Sequence, residues 1–87
     1  MASYRLTFKN SVTKDFRSIP KDDVARILMR IKALADEPRP MGSEKLSGKE
    51  RFRVRQGVYR IVYEIQNEEL VIVVVRVGHR REVYRER

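Results

Sequence analysis

Arginine occupies every second position from Arg51 to Arg55, and a fourth arginine, Arg60, follows after a short break. In a β-strand this spacing places Arg51, Arg53 and Arg55 on one face, because successive side chains point to opposite sides. The planar guanidinium donates forked hydrogen bonds that match the oxygens of a phosphate. The pattern therefore predicts an anion site, most simply one for phosphates.

The residues between these arginines predict a hairpin. With Gln56 and Gly57 as a two-residue turn, Arg53 lies opposite Arg60, and all four arginines share one face without an intervening acid. Like charges directly opposite each other destabilise a sheet by about 0.2–1 kcal/mol, so a sequence selected only for folding would more often alternate Arg with Glu. The alternative is a solvated face whose charges extend into water, and a three-residue turn would change the pairing.

A second group of chemically active side chains follows the last predicted strand, in the segment Gly78-His79-Arg80-Arg81-Glu82-Val83-Tyr84. If that strand runs back beside its neighbour, the segment reaches the turn end of the arginine face. Nearby cations should lower the pKa of a tyrosine there, because they favour phenolate, and such a group can move protons in catalysis. Taken singly, His79 is more often an ordinary loop histidine and Tyr84 more often a plug at the core edge.

Several other chemistries lack the residues they need. The chain has no cysteine and a single histidine, which excludes disulfides, thiolate zinc sites and a cysteine nucleophile. Its carboxylates occur mostly as sequence neighbours that point apart, and no glycine-rich phosphate loop or serine elbow is present. We therefore expect no metal and no cofactor. A ribonuclease of this composition would use the 2′-hydroxyl of the RNA as its nucleophile and arginine electrostatics to stabilise charge.

The net charge points in the same direction. Twenty Lys and Arg residues against twelve Asp and Glu residues give +8 in 87 residues. Such a field attracts polyanions, and nucleic acid is the first candidate, with simple solubility as the alternative. No apolar stretch approaches the roughly 18–20 residues of a membrane span, and no signal-peptide core follows the N-terminus. We expect one soluble, cytoplasmic domain over residues 1–87, with no membrane partner.

The order of elements predicted to carry these groups is β-α-α-β-β-β. Apolar residues at three- and four-residue steps indicate an amphipathic second helix, and the nearly continuous apolar run from Leu70 to Val77 indicates a central strand. Arg76 would face the core in a regular strand, so we expect it at an edge or turned outward by a bulge. The fold class is α+β, with two N-terminal helices packed on one face of a four-stranded, mainly antiparallel sheet.

With this order of elements, the chain resembles the RelE/ParE superfamily of bacterial and archaeal toxins, in its RelE branch, over nearly its whole length. The segments that carry the resemblance are Phe52-Arg53-Val54-Arg55, Tyr59-Arg60-Ile61-Val62-Tyr63 and the stretch from Val77 to Tyr84. The resemblance implies a type II toxin that enters the ribosomal A site and cleaves the mRNA, leaving a 2′,3′-cyclic phosphate and a 5′-hydroxyl without a metal. The implied partners are a RelB-like antitoxin, which alone would contact operator DNA, and the 70S ribosome with mRNA in its A site.

The resemblance also implies roles for individual residues. Arg60 and Arg53 would hold the scissile phosphate with support from Arg55, Tyr84 would activate the 2′-hydroxyl or stack on a base, and Arg80 would assist the leaving oxygen. Further contacts with RNA or ribosome are expected from Lys45, Lys49, Arg51, His79 and Arg81.

This sequence departs from well-described members, which carry lysines where Arg53 and Arg55 stand. Arginine essentially cannot lose its proton, so the general base would be Tyr84 or His79. The spacing before Tyr84 is shorter than in some members, which makes Arg81 an alternative to the arginine before it.

Three other functions remain open. The ParE branch of the superfamily poisons DNA gyrase and lacks the ribonuclease residues, so Arg80 and Tyr84 favour the RelE branch. A non-enzymatic RNA-binding module would expose aromatic rings on the open sheet face, whereas Tyr59 and Tyr63 are predicted on the core face. An inactive toxin retained for antitoxin binding is the third.

Overall fold

The computed structural model describes residues 3–46 and 50–79. Within these ranges the strands form one sheet in the order β1-β5-β4-β3-β2, in which β1 is parallel to β5 and the other pairings are antiparallel. The α+β architecture is confirmed, with five strands where four were predicted, and neither described helix is long and apolar enough to cross a membrane. The elements are β1 (Arg5–Phe8), α1 (Asn10–Arg17), α2 (Lys21–Leu34), β2 (Glu44–Leu46), β3 (Arg51–Gln56), β4 (Tyr59–Gln66) and β5 (Val71–His79).

The additional strand is β2, at the edge of the sheet. It pairs with β3 so that Glu44 lies opposite Arg53 and Leu46 opposite Arg51. Three residues, two of them charged, contain no alternation of apolar and polar side chains from which a strand could be recognised. Strand β2 therefore forms because it pairs with β3, and its own sequence does not predict it.

The main core lies between the helices and one face of the sheet. Helix α2 buries Ile27, Ile31 and Leu34, each no more than 1% exposed, which confirms the predicted apolar stripe. Side chains on the inner face of the sheet pack against this stripe. One of them, Tyr63, is fully buried and donates a 2.6 Å hydrogen bond to the carbonyl of Pro38. The helices therefore cover the face of β3 and β4 that the sequence predicted.

The turn between β3 and β4 consists of Gly57 and Val58, one residue later than the sequence predicted. Gly57 has a φ of +63°, in the left-handed region that L side chains disfavour, and type II′ hairpin turns require glycine at this first loop position. The shift changes every pairing by two residues, so each side chain keeps its predicted face. The opposed arginines become Arg55 and Arg60, in place of Arg53 and Arg60.

Strand β5 contains a β-bulge opposite β4. Val62 pairs with Arg76 whereas Tyr63 pairs with Val74, which leaves Val75 as the extra residue. Val74 packs in the main core, while Val75 joins Val62 in a small cluster on the other side of the sheet. The bulge therefore turns both Val75 and Arg76 away from the helices, which confirms the outward alternative for Arg76.

The second half of β5 is anchored by helix α1. Strand β1 ends at Phe8, which pairs with Val74, and beyond that point the backbone N–H of Val77 donates a 3.0 Å hydrogen bond to Oδ2 of Asp15. The carboxylate replaces the strand partner that β5 has lost, and it fixes the segment that leads to Gly78 and His79.

Candidate active site at the β3–β4 turn

The arginines lie on the side of the sheet that faces away from the helices. Strand β3 places Arg51, Arg53 and Arg55 there, and β4 adds Arg60, as the alternation of the sequence predicted. We call this side the open face. Its residues were proposed to bind phosphate because no acid was expected among them.

Two carboxylates on the open face correct that expectation. Arg51 donates to Oε2 of Glu64, with a distance of 3.2 Å from its Nε, and Glu64 lies directly opposite it on β4. Arg53 forms an ion pair with Glu44, which lies directly opposite it on β2. The first pair was missed because the predicted turn was one residue early, and the second because β2 was not predicted.

Arg55 and Arg60 are the pair that faces no such carboxylate. They lie directly opposite each other, and no acidic side chain within residues 3–46 and 50–79 forms an ion pair with either. Arg60 is only 6% exposed, and its Nε is buried without a hydrogen-bond partner in the described part of the chain. Buried polar groups are normally satisfied, so the Nε of Arg60 is a donor that a ligand could complete.

A pocket of about 300 Å³ opens beside this pair, lined by Arg55, Gly57, Val58, Arg60 and His79. Strand β5 brings His79 to the turn, where it lies directly opposite Tyr59 and therefore on the helix-facing side of the sheet, whereas the arginines lie on the open face. Gly78 lies opposite Arg60 in the sheet. Gly78 is itself buried.

Beneath the pocket, an aromatic contact links His79 to the helical layer. The rings of Tyr59 and His79 meet edge to face, with centroids 6.5 Å apart. The Tyr59 hydroxyl donates to Oδ2 of Asp23 at 3.2 Å, and Asp23 also pairs with Arg26 at 3.2 Å. Burial, followed by the Asp23 carboxylate, raises the pKa of Tyr59, so this tyrosine remains a protonated hydrogen-bond donor. The sequence did not identify this support, because nothing local connects Asp23 to a strand 36 residues away.

Of the remaining predicted site residues, only Lys45 lies within the described ranges. Lys45 is opposite Phe52 in the sheet, which places it on the helix-facing side and away from the open face. Its ammonium bonds Oε2 of Glu50 at 3.2 Å, and that hydrogen bond and charge lower the pKa of Glu50. The other four predicted positions are outside the described residues: Lys49, Arg80, Arg81 and Tyr84.

This arrangement can neutralise a phosphate. The guanidinium groups of Arg55 and Arg60 lie on one face of the hairpin and can bind non-bridging phosphate oxygens, while the His79 ring packs against Tyr59 at the edge of the same pocket. Within residues 3–46 and 50–79, no group of three or more His, Asp or Glu side chains is arranged to hold a metal ion.

Comparison with known proteins identifies the family of this chain. A family described as the ParE toxin of type II toxin–antitoxin systems, parDE, matches residues 6–84. Toxin RelG of Mycobacterium tuberculosis is 30% identical over 86 residues, covering 94% of this chain and 97% of that protein. The archaeal RelE–RelB complex from Pyrococcus horikoshii contains a chain of 30% identity and TM-score 0.80, with 90% of this chain and 96% of that chain covered. A chain of the RelBE2 toxin–antitoxin complex from Mycobacterium tuberculosis has 27% identity and TM-score 0.81, with 91% and 93% covered. The chain therefore belongs to the ParE toxin family of type II toxin–antitoxin systems, within the RelE/ParE superfamily.

Proposed function

We propose that this toxin is a ribosome-dependent endoribonuclease that cleaves mRNA in the A site and thereby inhibits translation. The observation that carries the proposal is the buried guanidinium of Arg60, which faces Arg55 across the hairpin and has no carboxylate partner in the described residues. Relatives named RelG and RelE-like toxin support the RelE branch of the superfamily.

The proposed reaction is an in-line transesterification within the RNA. The 2′-oxygen attacks the adjacent phosphorus, the bond from phosphorus to the 5′-oxygen breaks, and the products are a 2′,3′-cyclic phosphate and a 5′-hydroxyl. Arg60 binds the non-bridging oxygens, and Arg55 adds a second positive charge. Because Arg60 is already buried in the sheet, it can stabilise the charge that develops in the transition state with little further reorganisation.

Two protons must move in this reaction. The 2′-hydroxyl proton passes to a base, for which the candidates are Tyr84 and His79, and the leaving 5′-oxygen takes up a proton with the assistance of Arg80. The roles of Tyr84 and Arg80 rest on the family motif, whereas His79 lines the pocket. Phosphate binding by Arg53 would require it to exchange Glu44 for the substrate. No step in this scheme uses a metal.

The proposed protein partner is a RelB-like antitoxin. The similar toxins from Pyrococcus horikoshii and Mycobacterium tuberculosis were solved in complexes with antitoxins. We propose that the antitoxin of this chain blocks the toxin in the cytoplasm and makes the contacts with operator DNA.

The decisive experiment uses a ribosome programmed with a defined A-site codon. We expect cleavage at that codon that persists in EDTA, is absent from naked RNA, and leaves a 5′-hydroxyl on the downstream fragment. Arg60→Gln should lower the cleavage rate by roughly 100-fold or more. Intact mRNA in the presence of folded wild-type protein would contradict the proposal.

A second candidate function is inhibition of DNA gyrase. One observation favours it: the family that matches residues 6–84 is described as the ParE toxin of type II toxin–antitoxin systems. A gyrase supercoiling assay on the same preparation separates the two functions. Inhibition of supercoiling without mRNA cleavage would assign the chain to the gyrase-inhibiting branch.

A further inference from the structure

Arg76 is a fifth arginine on the open face, and the proposed reaction gives it no role. The β-bulge turns it outward, opposite Val62 on β4. It is half-buried, and its Nε is buried without a hydrogen-bond partner in the described residues. Among residues 3–46 and 50–79, no carboxylate forms an ion pair with it.

Arg76 lies next to the pocket rather than at a distant edge. Arg60 pairs with Gly78, and two residues farther along each strand Val62 pairs with Arg76. Arg60 and Arg76 are therefore diagonal neighbours on the same face, a relationship that places Cα atoms about 7–8 Å apart in antiparallel sheets. This is the scale of the distance between successive phosphates of a nucleic-acid strand.

A purely structural role would be better served by another residue type. Val62, Val75 and Leu46 form a small apolar cluster on this side of the sheet, and an aliphatic residue at position 76 would extend it. An arginine at the same place leaves a donor buried without a partner, which burial penalises. Two such arginines side by side, Arg60 and Arg76, indicate a ligand with more than one anionic group.

We propose that Arg76 binds a backbone phosphate adjacent to the scissile one, so that the open face holds two consecutive phosphates of the mRNA. The inference rests on the proposed ribonuclease function and extends it. Arg60 binds the phosphate that reacts, and Arg76 fixes the direction in which the strand leaves the pocket. Arg76 contacts the substrate away from the reacting bond, so it acts by holding the strand in register.

Substrates with one neutral linkage test this proposal. Programmed ribosomes carry mRNAs in which a single linkage beside the scissile one is an uncharged methylphosphonate, protected by a 2′-deoxy sugar. With wild-type toxin, one of the two neighbouring linkages should be sensitive, and neutralising it should lower kcat/KM by roughly 10- to 100-fold. Arg76→Gln should cause a loss of the same size on unmodified mRNA. Combining the variant with the sensitive linkage should add little further loss, because both remove the same contact.

Two other variants complete the design. Arg17→Gln removes the same charge from an exposed position of helix α1, and it should leave the effect of the neutral linkage unchanged. Arg76→Lys keeps the positive charge but lacks the forked guanidinium, so its kcat/KM should lie between those of wild type and Arg76→Gln. It replaces Arg76→Gln if that variant does not fold.

The outcomes separate this inference from the proposed function. Cleavage by Arg76→Gln at the wild-type rate, or losses that multiply independently at both neighbouring linkages, would overturn the second phosphate site alone. Failure of folded wild-type toxin to cleave unmodified mRNA would overturn the ribonuclease function and the second site together.

Discussion

Arg55 and Arg60 lie directly opposite each other on neighbouring strands, and neither side chain is paired with a carboxylate within residues 3–46 and 50–79. Farther from the turn the same face is balanced, since Glu64 lies opposite Arg51 and forms an ion pair with it. Like-charge repulsion is thus concentrated at the end of the hairpin that carries the pocket. Local conflict with folding is expected where a site is maintained for function.

Arg60→Met should stabilise the protein while it abolishes cleavage. The variant removes a buried, unsatisfied donor and the repulsion from Arg55, and the thioether side chain retains apolar volume. We expect the free energy of unfolding to rise by about 0.5–1.5 kcal/mol, and A-site cleavage to fall by roughly 100-fold or more. Urea unfolding and the ribosome assay measure the two effects on the same preparation.

Arg51→Met is the matched control. Arg51 and Glu64 are both half-buried, so removal of the arginine leaves a partly buried carboxylate without this partner. We expect a loss of about 1–3 kcal/mol in the free energy of unfolding. Equal destabilisation by Arg60→Met and Arg51→Met would contradict the view that Arg60 lowers the stability of the folded protein.

The layers of the fold could be predicted because they depend on local periodicity. The apolar stripe of α2 and the alternation of β3 each specify which side chains face the core, and the apolar run of β5 indicated its central position. The position of the turn was less certain, since Gln56 and Gly57 were as plausible as Gly57 and Val58 without the pairing partners in view. Glycine's tolerance of a positive φ at the first loop position was the signal that could have decided it.

The charge balance of the site could not be predicted, because it depends on partners that are distant in sequence. Glu44 meets Arg53 only when β2 joins the edge of the sheet. The support of His79 by Tyr59 and Asp23 likewise joins three separate elements. The arginine face was correct as a surface, but only the pairing of strands shows which of its arginines face a carboxylate.

Gly57→Ala should destabilise the hairpin through backbone strain alone. A Cβ at this position would meet nothing within 4 Å, but the φ of +63° is one that alanine adopts unfavourably. We expect a loss of about 1–2 kcal/mol in the free energy of unfolding. Val58→Ala, at the exposed second position of the turn, should change it by less than about 0.5 kcal/mol. Equal unfolding midpoints for wild type and Gly57→Ala would rule out strain at this turn.

Stability above pH 10 should depend on Tyr63. Burial raises the pKa of its hydroxyl from 10.0 to about 12, so the folded protein retains the proton after the unfolded chain has released it. The stabilisation is complete below pH 10 and is lost as the pH rises toward 12. Tyr63→Phe should cost about 1 kcal/mol near pH 8, because the hydrogen bond to Pro38 is lost, and its stability should then decline less than that of wild type between pH 10 and 12. Parallel declines in urea unfolding experiments would contradict this origin of the pH dependence.

Glu44→Gln should strengthen substrate binding without a large change in stability. Glu44 is more than half exposed, and exposed ion pairs contribute about 0–1 kcal/mol. Its carboxylate nevertheless competes with a phosphate for Arg53, because both bind the same guanidinium. We expect the KM for A-site cleavage to fall by roughly two- to fivefold, with kcat nearly unchanged because Arg53 lies outside the pocket that holds Arg60.

Glu68→Gln makes the same change of charge in the exposed turn between β4 and β5, at the opposite end of β4, and should leave KM at the wild-type value. A KM that falls equally in both variants would assign the effect to net charge, and one that rises in Glu44→Gln would show that the carboxylate holds Arg53 in its binding position.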